Sequence, residues 1–343
     1  MDTQTLEKIA LSLVQPGKGI LAADESLRST ERRFAKLNIP HTPQNRQAYR
    51  DLMFTTPGLE QFIDGVILFD ESIRQTTLAG APFADYLISK GIVPGIKVDG
   101  GFIDMAGFPG EKISEGLDGL GKRLEEYYRM GARFTKWRAV ITIGSGLPTN
   151  ACLRANAFLL ARYASISQQA GMVPFVEPDV LLDGSHDIQR CEEVTSQMLE
   201  ITFNELFKHN VHLKGILLKP NMVLPGKDCP DQSNLETIAE ATSRTLLRHV
   251  PAVVPGVVFL SGGQGARPST ERLNAIARKG PYPWQVSFSY LRALADPAFE
   301  VWRGLAENKD KAQKEFHHRA QLVAAARKGE YTSRMEDEQK KDL

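Results

Sequence analysis

The chain has 343 residues, of which 42% are hydrophobic, and this is enough to build the core of one large α/β barrel or of two ordinary domains. Its 42 basic and 41 acidic side chains leave a net charge of +1, which excludes a general electrostatic attraction to nucleic acid or to an anionic membrane. The three cysteines, Cys152, Cys191 and Cys229, are far apart and lack metal-ligand spacing, so neither a disulfide scaffold nor a zinc site is expected.

The first residues do not predict a targeting segment. Residues 1–9 include acidic side chains and lack the apolar core of a signal peptide. No apolar stretch approaches the roughly 20 residues that are needed to span a bilayer. We therefore expect a cytoplasmic protein that has no membrane partner and no nucleic-acid partner.

Eight short apolar runs predict buried β-strands, because strands that are covered on both faces of a parallel sheet are mostly apolar. The runs are residues 19–23, 65–69, 93–98, 134–140, 173–176, 215–218, 257–260 and 285–288.

Segments with helical periodicity lie between these runs. Leu117, Leu120, Leu124 and Tyr128 predict one apolar stripe on a helix over residues 117–130 that ends at Gly131. The other predicted helices cover residues 150–170, residues 187–207 after Asp187 as N-cap, residues 233–247 after Ser233 as N-cap, and residues 269–279.

The alternation of strand and helix predicts an α/β fold, a (β/α)₈ TIM barrel with an extra N-terminal helix. A doubly wound sheet is the alternative, but its glycine-rich phosphate loop follows the first strand, whereas Gly17-Lys18-Gly19 precedes it here and lacks the G-x-G-x-x-G order. No linker interrupts residues 1–330, so we predict a single catalytic domain. Residues 331–343 are polar and lack a core-facing stripe, which predicts a flexible C-terminal tail.

Polar side chains follow the predicted strands, at the end of a barrel where enzymes of this fold build their sites. In chain order they are Asp24, Asp70, Lys97, Asp99, Lys136, Arg138, Glu177, Asp179, Lys219, Ser261, Ser289 and Arg292. Residues two apart on a strand share a face, so Lys136 with Arg138, and Glu177 with Asp179, should each point into one cavity. The alternatives are that a lone aspartate caps a helix and that the two cations form structural ion pairs.

Lys219 has the strongest chemical signal, because it ends the apolar run Ile216-Leu217-Leu218. Burial disfavours an ammonium ion, and a neighbouring cation such as Lys136 disfavours it further, so the pKa of this lysine should be lowered. A free amine attacks a carbonyl and forms a Schiff base. Carboxylates such as Glu177 would move the protons, so the pattern predicts carbonyl chemistry through an imine.

Two further motifs predict phosphate recognition. Ser261, Gly262 and Gly263 follow the seventh strand, and Ser289 with Arg292 follows the eighth, which together are the recurrent phosphate site of these barrels. A second basic cluster follows the first strand and could hold another phosphate, or could be a solvated helix face. Its residues are Ser26, Arg28, Ser29, Arg32 and Arg33.

Six motifs in order along the chain resemble class I fructose-1,6-bisphosphate aldolases, from residue 17 to about residue 331. They are Gly17-Lys18-Gly19-Ile20-Leu21-Ala22-Ala23-Asp24-Glu25-Ser26, Gly95-Ile96-Lys97-Val98-Asp99, Lys136-Trp137-Arg138, Val176-Glu177-Pro178, Leu217-Leu218-Lys219-Pro220-Asn221-Met222 and Leu260-Ser261-Gly262-Gly263-Gln264, with Phe288-Ser289-Tyr290 after them.

The resemblance implies cleavage of fructose 1,6-bisphosphate in glycolysis or gluconeogenesis, without a metal or another cofactor, by a homotetramer. It implies that Lys219 forms the Schiff base, Glu177 is the acid and base of imine formation, Asp24 helps to deprotonate the C4 hydroxyl, and Lys136 is an essential cation. Asp179 is a further catalytic position, where the family usually has glutamate. The implied substrate-binding residues are Lys97, Arg138, Ser26, Ser29, Arg32, Arg33, Ser261, Gly262, Gly263, Ser289 and Arg292.

The sequence also departs from the family. Leu291 replaces a glycine, and the terminal tyrosine of many relatives is missing; we expect Tyr331 to anchor the stem of the tail. The rival hypotheses are a Schiff-base aldolase for a longer or monophosphorylated ketose and a sugar-phosphate-binding protein without activity. A metal-dependent aldolase is disfavoured, since the seven histidines, including His317 and His318, show no ligand spacing at the strand ends.

Overall fold

A computed structural model describes residues 2–337, and within this range a closed barrel of eight parallel strands forms the centre of the molecule. The strands are β1 (Gly19–Ala22), β2 (Ile63–Leu68), β3 (Val93–Lys97), β4 (Phe102–Asp104), β5 (Lys112–Ser114), β6 (Phe134–Ile141), β7 (Val173–Val180), β8 (Leu217–Leu218), β9 (Gly256–Phe259) and β10 (Gln285–Tyr290).

The barrel strands follow one another in the order β1, β2, β3, β6, β7, β8, β9, β10, and β10 pairs with β1 to close the barrel. The predicted (β/α)₈ fold is thereby confirmed. The hairpin of β4 and β5, which the sequence did not predict, is antiparallel and lies outside the barrel sheet.

Helices surround the barrel. They are α1 (Thr3–Ser12), α2 (Leu27–Ala35), α3 (Pro43–Phe54), α4 (Asp70–Ile73), α5 (Phe83–Ser89), α6 (Leu120–Arg129), α7 (Asn150–Gln169), α8 (Ile188–Lys208), α9 (Leu235–His249), α10 (Ala266–Arg278), α11 (Arg292–Trp302) and α12 (Lys309–Arg327), with 3₁₀ turns at Leu59–Gln61, Leu213–Gly215, Ala306–Asn308 and Ser333–Glu336. None of the helices in residues 2–337 is long and apolar enough to cross a membrane.

Most strands differ from the predicted runs by one or two residues at an end, and the differences at β7 and β8 affect the site. β7 continues to Val180 instead of ending at residue 176, so that Glu177 and Asp179 lie inside the strand and pair with β6. β8 has only two residues, because the preceding residues form the 3₁₀ turn Leu213–Gly215. Despite these differences, the lysine that follows β8 and the carboxylates of β7 lie at the same mouth of the barrel.

Three helix predictions were wrong in detail. On α6 the buried side chains are Leu120, Leu124 and Tyr127, whereas Tyr128 is 38% exposed. The helix begins after Gly119, and its buried stripe advances by four residues from Leu120 to Leu124 and then by three to Tyr127. The N-cap of α9 is Asn234, whose side chain accepts from the Thr237 N–H. Helix α10 begins at Ala266, three residues before the predicted start.

Helix α1 closes the N-terminal mouth of the barrel, as the predicted extra helix requires. Leu6 and Ala10 of α1 are fully buried in a cluster with inward-facing strand residues such as Phe134 and Phe175, whose rings stack at 4.5 Å. Gly95 of β3 makes room for this cluster, because a Cβ atom there would lie 2.3 Å from the Phe134 ring. The polar residues at the strand ends therefore lie at the opposite, C-terminal mouth of the barrel.

The first part of the predicted tail lies against the barrel. Tyr331 is 4% exposed, its N–H donates to the Asn274 side chain at 3.0 Å, and Met335 packs against the main core. The expectation that Tyr331 anchors the tail stem is confirmed, and the expectation that the segment has no core-facing residue was wrong. The flexibility of the tail and the domain boundary at residue 330 stay predictions; residues 338–343 lie outside the described range.

Candidate active site

Lys219 follows β8 directly and is buried at the C-terminal mouth of the barrel, with 3% of its surface exposed. Its own N–H donates to the Val176 carbonyl of β7 at 2.8 Å, which brings the next residue of β7, Glu177, beside it. The distance from Lys219 Nζ to Glu177 Oε1 is 3.5 Å. An amine and a carboxylate therefore face each other in a site that excludes most water.

Lys136 of β6 joins this pair to a third strand. Its ammonium lies 3.1 Å from Glu177 Oε2 and 2.8 Å from Asp24 Oδ2. Asp24 follows β1, across the barrel mouth from β6, and both residues are at most 8% exposed. The structure thus brings together Lys219, Glu177, Lys136 and Asp24, four of the five residues expected to carry the chemistry.

The charges in this cluster set its protonation. Burial lowers the pKa of Lys219 and outweighs the opposing effect of Glu177, and the charge of Lys136 lowers this pKa further. Burial opposes the charged form of Lys136 as well, but Asp24 and Glu177 raise its pKa above the usual range. Burial would raise the pKa of Asp24, yet the two ammonium groups hold it below its ordinary value. The neighbours of Lys136 therefore favour its charged form, whereas the surroundings of Lys219 favour its free amine.

Asp179 and Arg138 form a pair beside the cluster. Arg138 Nε and Nη2 donate to the same oxygen of Asp179 at 2.8 and 2.6 Å, and burial of the guanidinium is outweighed by its carboxylate neighbours, which raise its pKa. Arg138 Nε lies 4.0 Å from Glu177 Oε1. The structure thus places Asp179 against Arg138 rather than against Lys219, which makes it an orienting group for the guanidinium.

Lys97 lies at the end of β3 and is held by Asp99. Its ammonium pairs with the Asp99 carboxylate and donates to the Asp99 carbonyl, while the other oxygen of that carboxylate accepts from the Arg138 N–H at 3.2 Å. The Asp99 carboxylate therefore connects the ammonium of Lys97 with the backbone N–H of Arg138, two residues predicted to bind substrate at this edge.

The loops after β9 and β10 lie next to each other, and the phosphate site assigned to them stays a prediction. Ser261 and Gln264 close a turn through a backbone hydrogen bond of 3.1 Å, and the Arg292 guanidinium lies 3.7 Å from the position that a Cβ atom would take on Gly262. Gly263 has φ +78°, a conformation that favours glycine. The buried Oγ of Ser289 has no hydrogen-bond partner among the described residues.

The second basic cluster is divided by the structure. Ser26 caps α2 and accepts from the Ser29 N–H, and Arg32 is exposed at the end of this helix. Arg33 instead donates to Glu25 at 2.9 Å and pairs with Asp296. The sequence analysis gave no role to Glu25. Its position directly after Asp24 could have indicated that it also lies near the barrel mouth.

Asp70 is not brought into the cluster. Its carboxylate accepts from Arg74 at 2.9 Å and from the Tyr127 hydroxyl at 2.9 Å, at the start of the short helix α4. Among residues 2–337, no three His, Cys, Asp or Glu side chains are grouped so that they could hold a metal ion.

The comparison with known families agrees with this geometry. The family model described as "Fructose-bisphosphate aldolase class-I" matches residues 5–343 of the chain. The chain belongs to this aldolase family. Members are lyases, and the protein is accordingly an enzyme of that kind.

Several aldolases resemble it over almost their whole length. A "Probable fructose-bisphosphate aldolase class 1" from Xanthomonas axonopodis pv. citri is 49% identical over 332 residues, which are 96% of this chain and 99% of the relative. "Fructose-bisphosphate aldolase 4, cytosolic" from Arabidopsis thaliana is 50% identical over 317 residues, which are 92% of this chain and 81% of the relative. The solved structure of a fructose-bisphosphate aldolase from Plasmodium falciparum, in complex with TRAP and a small molecule inhibitor, matches with a TM-score of 0.95 at 45% identity and covers 96% of each chain.

Proposed function

We propose that the protein cleaves fructose 1,6-bisphosphate reversibly to dihydroxyacetone phosphate and glyceraldehyde 3-phosphate, in glycolysis or gluconeogenesis, through a Schiff base on Lys219. The observation that carries this proposal is the amine of Lys219, which is buried, has a lowered pKa and lies 3.5 Å from Glu177. The rest of the mechanism follows from the neighbours of this pair.

In the first stage, Lys219 Nζ attacks the C2 carbonyl of the ketose and a carbinolamine forms. Glu177 then gives a proton to the departing hydroxyl, so that water leaves and the protonated imine remains. Its Oε1 faces the amine, and its Oε2 lies beside the ammonium of Lys136. This position allows it to act first as an acid and, in imine hydrolysis, as a base.

In the second stage, Asp24 accepts the proton of the C4 hydroxyl. The C3–C4 bond breaks, its electron pair moves into the iminium to give an enamine, and the aldehyde leaves. The hydrogen bond from Lys136 keeps Asp24 ionised for this step. The enamine is afterwards protonated at carbon, and water releases dihydroxyacetone phosphate from Lys219.

Two anion sites would hold the two phosphates of the substrate. The pocket of Ser261, Gly262, Gly263, Ser289 and Arg292 suits the ketone-side phosphate, since it combines a guanidinium with a buried hydroxyl. Ser26, Ser29 and Arg32 at the barrel rim suit the aldehyde-side phosphate. The guanidinium of Arg33 already pairs with Glu25 and Asp296, so Arg33 could contribute to this phosphate site only with donors that these carboxylates leave unused.

The active-site residues also help to distinguish between the rival functions. A protein that only binds sugar phosphates has no use for a desolvated amine, so the Lys219–Glu177 pair favours catalysis. A longer or a monophosphorylated ketose remains the alternative substrate, and a monophosphorylated one would require only one of the two anion sites.

We further propose that the enzyme works in the cytoplasm as a homo-oligomer, a tetramer by resemblance. Relatives from Arabidopsis thaliana and Cicer arietinum are named cytosolic or cytoplasmic isozymes. Sedimentation velocity of the purified protein measures the oligomeric state directly.

The experiment that tests the mechanism is reductive trapping. The protein is incubated with dihydroxyacetone phosphate, reduced with borohydride and mapped by mass spectrometry. The adduct is expected on Lys219 alone. Lys219→Arg keeps the positive charge but cannot form an imine, so adduct and cleavage should both be lost, while Lys214→Arg, at an exposed lysine nearby, should keep both.

An adduct on Lys136 or Lys97 would overturn the assignment. EDTA should leave cleavage unchanged, and loss of activity that a divalent metal restores would contradict the metal-free mechanism.

A further inference from the structure

Arg319 of α12 is a buried cation that the proposed mechanism does not use. It occupies a core-facing position of the helix, between Phe316 and Val323, and is 3% exposed. A buried guanidinium is costly unless its donors are satisfied, and here they are satisfied by groups from three different segments.

Two of these segments are the ones that form the ketone-side phosphate pocket. Arg319 Nη2 donates to the Ala266 carbonyl at 3.2 Å and to Thr270 Oγ1 at 2.8 Å, in the first turn of α10. Arg319 Nε donates to the Ala293 carbonyl at 3.4 Å, in the first turn of α11. Ala266 directly follows the glycine loop of residues 261–265, and Ala293 directly follows Arg292, so one guanidinium holds the base of both pocket loops.

The third segment is the C-terminal one. Arg319 Nη1 donates to both oxygens of Glu336 at 2.9 and 2.7 Å, and the Tyr331 hydroxyl donates to Glu336 Oε1 at 2.9 Å. Burial and this hydrogen bond to Glu336 raise the pKa of Tyr331, so its hydroxyl stays protonated and remains a donor. The Glu336 carboxylate fixes the end of the guanidinium that points away from the pocket loops.

We infer that Arg319 is a positioning residue for the ketone-side phosphate pocket and that the Glu336 side chain, from the C-terminal segment, sets its orientation. This inference rests on the proposed function. A displacement of the two loops relative to each other would separate Gly262 from Arg292, and small displacements of binding groups reduce the affinity for the group that they hold. The aldehyde-side cluster on α2 makes no hydrogen bond to Arg319, so its affinity should not change.

The test compares the two substrates of the condensation reaction. In Glu336→Gln the KM for dihydroxyacetone phosphate should rise by about three- to tenfold, and in Arg319→Met by about tenfold or more, with the KM for glyceraldehyde 3-phosphate within about twofold of wild type. Arg319→Lys keeps the charge but cannot reach all three segments, so its KM should lie between those of wild type and Arg319→Met. Glu336 is partly exposed, and Glu336→Gln therefore tests the inference even if Arg319→Met fails to fold.

Arg327→Met is the matched control. Arg327 is also a buried arginine of α12, but it donates to the carbonyls of Val14, Gln15 and Val286 at the other end of the barrel. Its loss should reduce stability without a change in either KM.

The half-saturating concentration of dihydroxyacetone phosphate in borohydride trapping gives a second readout. Absence of an adduct in the wild-type protein would contradict the proposed function itself. If the wild-type protein forms the Lys219 adduct and Glu336→Gln and Arg319→Met are half-saturated at the wild-type concentration, the inference is wrong. It is also wrong if Arg327→Met shifts this concentration as much as they do.

Discussion

Lys136 is the residue on which the charge balance of the site depends. Its ammonium lies between Asp24 and Glu177, both of which are buried, and it holds the pKa of Asp24 below its ordinary value against the effect of burial. The proposed general base Asp24 therefore depends for its ionisation on a lysine three strands away in the barrel.

Replacement of this lysine should be visible in the pH profile. In Lys136→Met the pKa of Asp24 should rise, because burial is no longer opposed by the nearest cation, and kcat should fall by roughly 10²- to 10⁴-fold. The acid limb of kcat/KM for cleavage, measured between pH 5 and pH 9, should move to higher pH. Lys122→Met, on the exposed side of α6, is the control, and an acid limb that stays in place would contradict the role given to Lys136.

For individual residues, the sequence predicted which side chains lie together at the site but not which partners each of them contacts. Lys219, Glu177, Lys136 and Asp24 could be predicted because a parallel barrel gathers its strand ends at one mouth. The partners of Arg33 could not, since Asp296 is 263 residues away and no local pattern records that contact. Arg319 left a weaker signal, an arginine at a core-facing position of an otherwise apolar helical stripe.

Helix α1 is the element that seals the barrel, and its two faces have very different environments. Leu6 is fully buried in the cluster at the N-terminal mouth, whereas Leu11 of the same helix is 59% exposed. Helix α1, which plugs the N-terminal mouth, therefore stabilises the fold through only part of its apolar surface.

A pair of truncations measures this difference. Leu6→Ala should lower the free energy of unfolding by about 2–5 kcal/mol, because it removes buried methyl groups and leaves a cavity. Leu11→Ala should change it by less than about 0.5 kcal/mol. Both values come from urea titrations followed by circular dichroism. Equal losses in the two variants would show that α1 does not plug the barrel as described.

Element boundaries were predicted less well than element order, for identifiable reasons. The apolar run ends at residue 176, before the charged Glu177, whereas β7 continues to Val180 because its pairing with β6 extends over eight residues. The hairpin of β4 and β5 was missed, since three-residue strands with exposed side chains leave no apolar run. Tyr331 and Met335 were read as part of a polar tail, because two apolar residues are too few to define a stripe.

The molecule as a whole carries a pH-sensitive contact at the end of the barrel that is away from the site. Asp64 of β2 is 3% exposed, and its carboxylate accepts from the Gln15 N–H at 2.9 Å and lies 3.9 Å from Lys18 Nζ. Burial raises the pKa of Asp64 to about 6, even though Lys18 and Arg327 oppose the shift. The N-terminal loop, the barrel and α12 meet at this group.

The folded protein therefore keeps this proton to a higher pH than the unfolded chain does. The stabilising contribution of the raised pKa is present below about pH 4 and is lost as the pH rises through about 6, with a size of about 3 kcal/mol at 1.36 kcal/mol per unit. In Asp64→Asn the side chain is neutral throughout. The unfolding free energy of this variant minus that of wild type should thus increase by about 2.5 kcal/mol between pH 4 and pH 7 in urea titrations. Asp85→Asn, at an exposed carboxylate, should show a flat difference, and a flat difference for Asp64→Asn as well would contradict the raised pKa.

The plug at one mouth and the reactive amine at the other have a consequence for how this sequence can change over generations. Substitutions at distant sites contribute to stability almost independently, so the apolar contacts around Leu6 can compensate for destabilising replacements in the loops that hold the substrate. Such loops can then accept new side chains without loss of the fold. A laboratory selection for a different ketose would accordingly do best by first improving the packing of α1 and only then diversifying the opposite mouth.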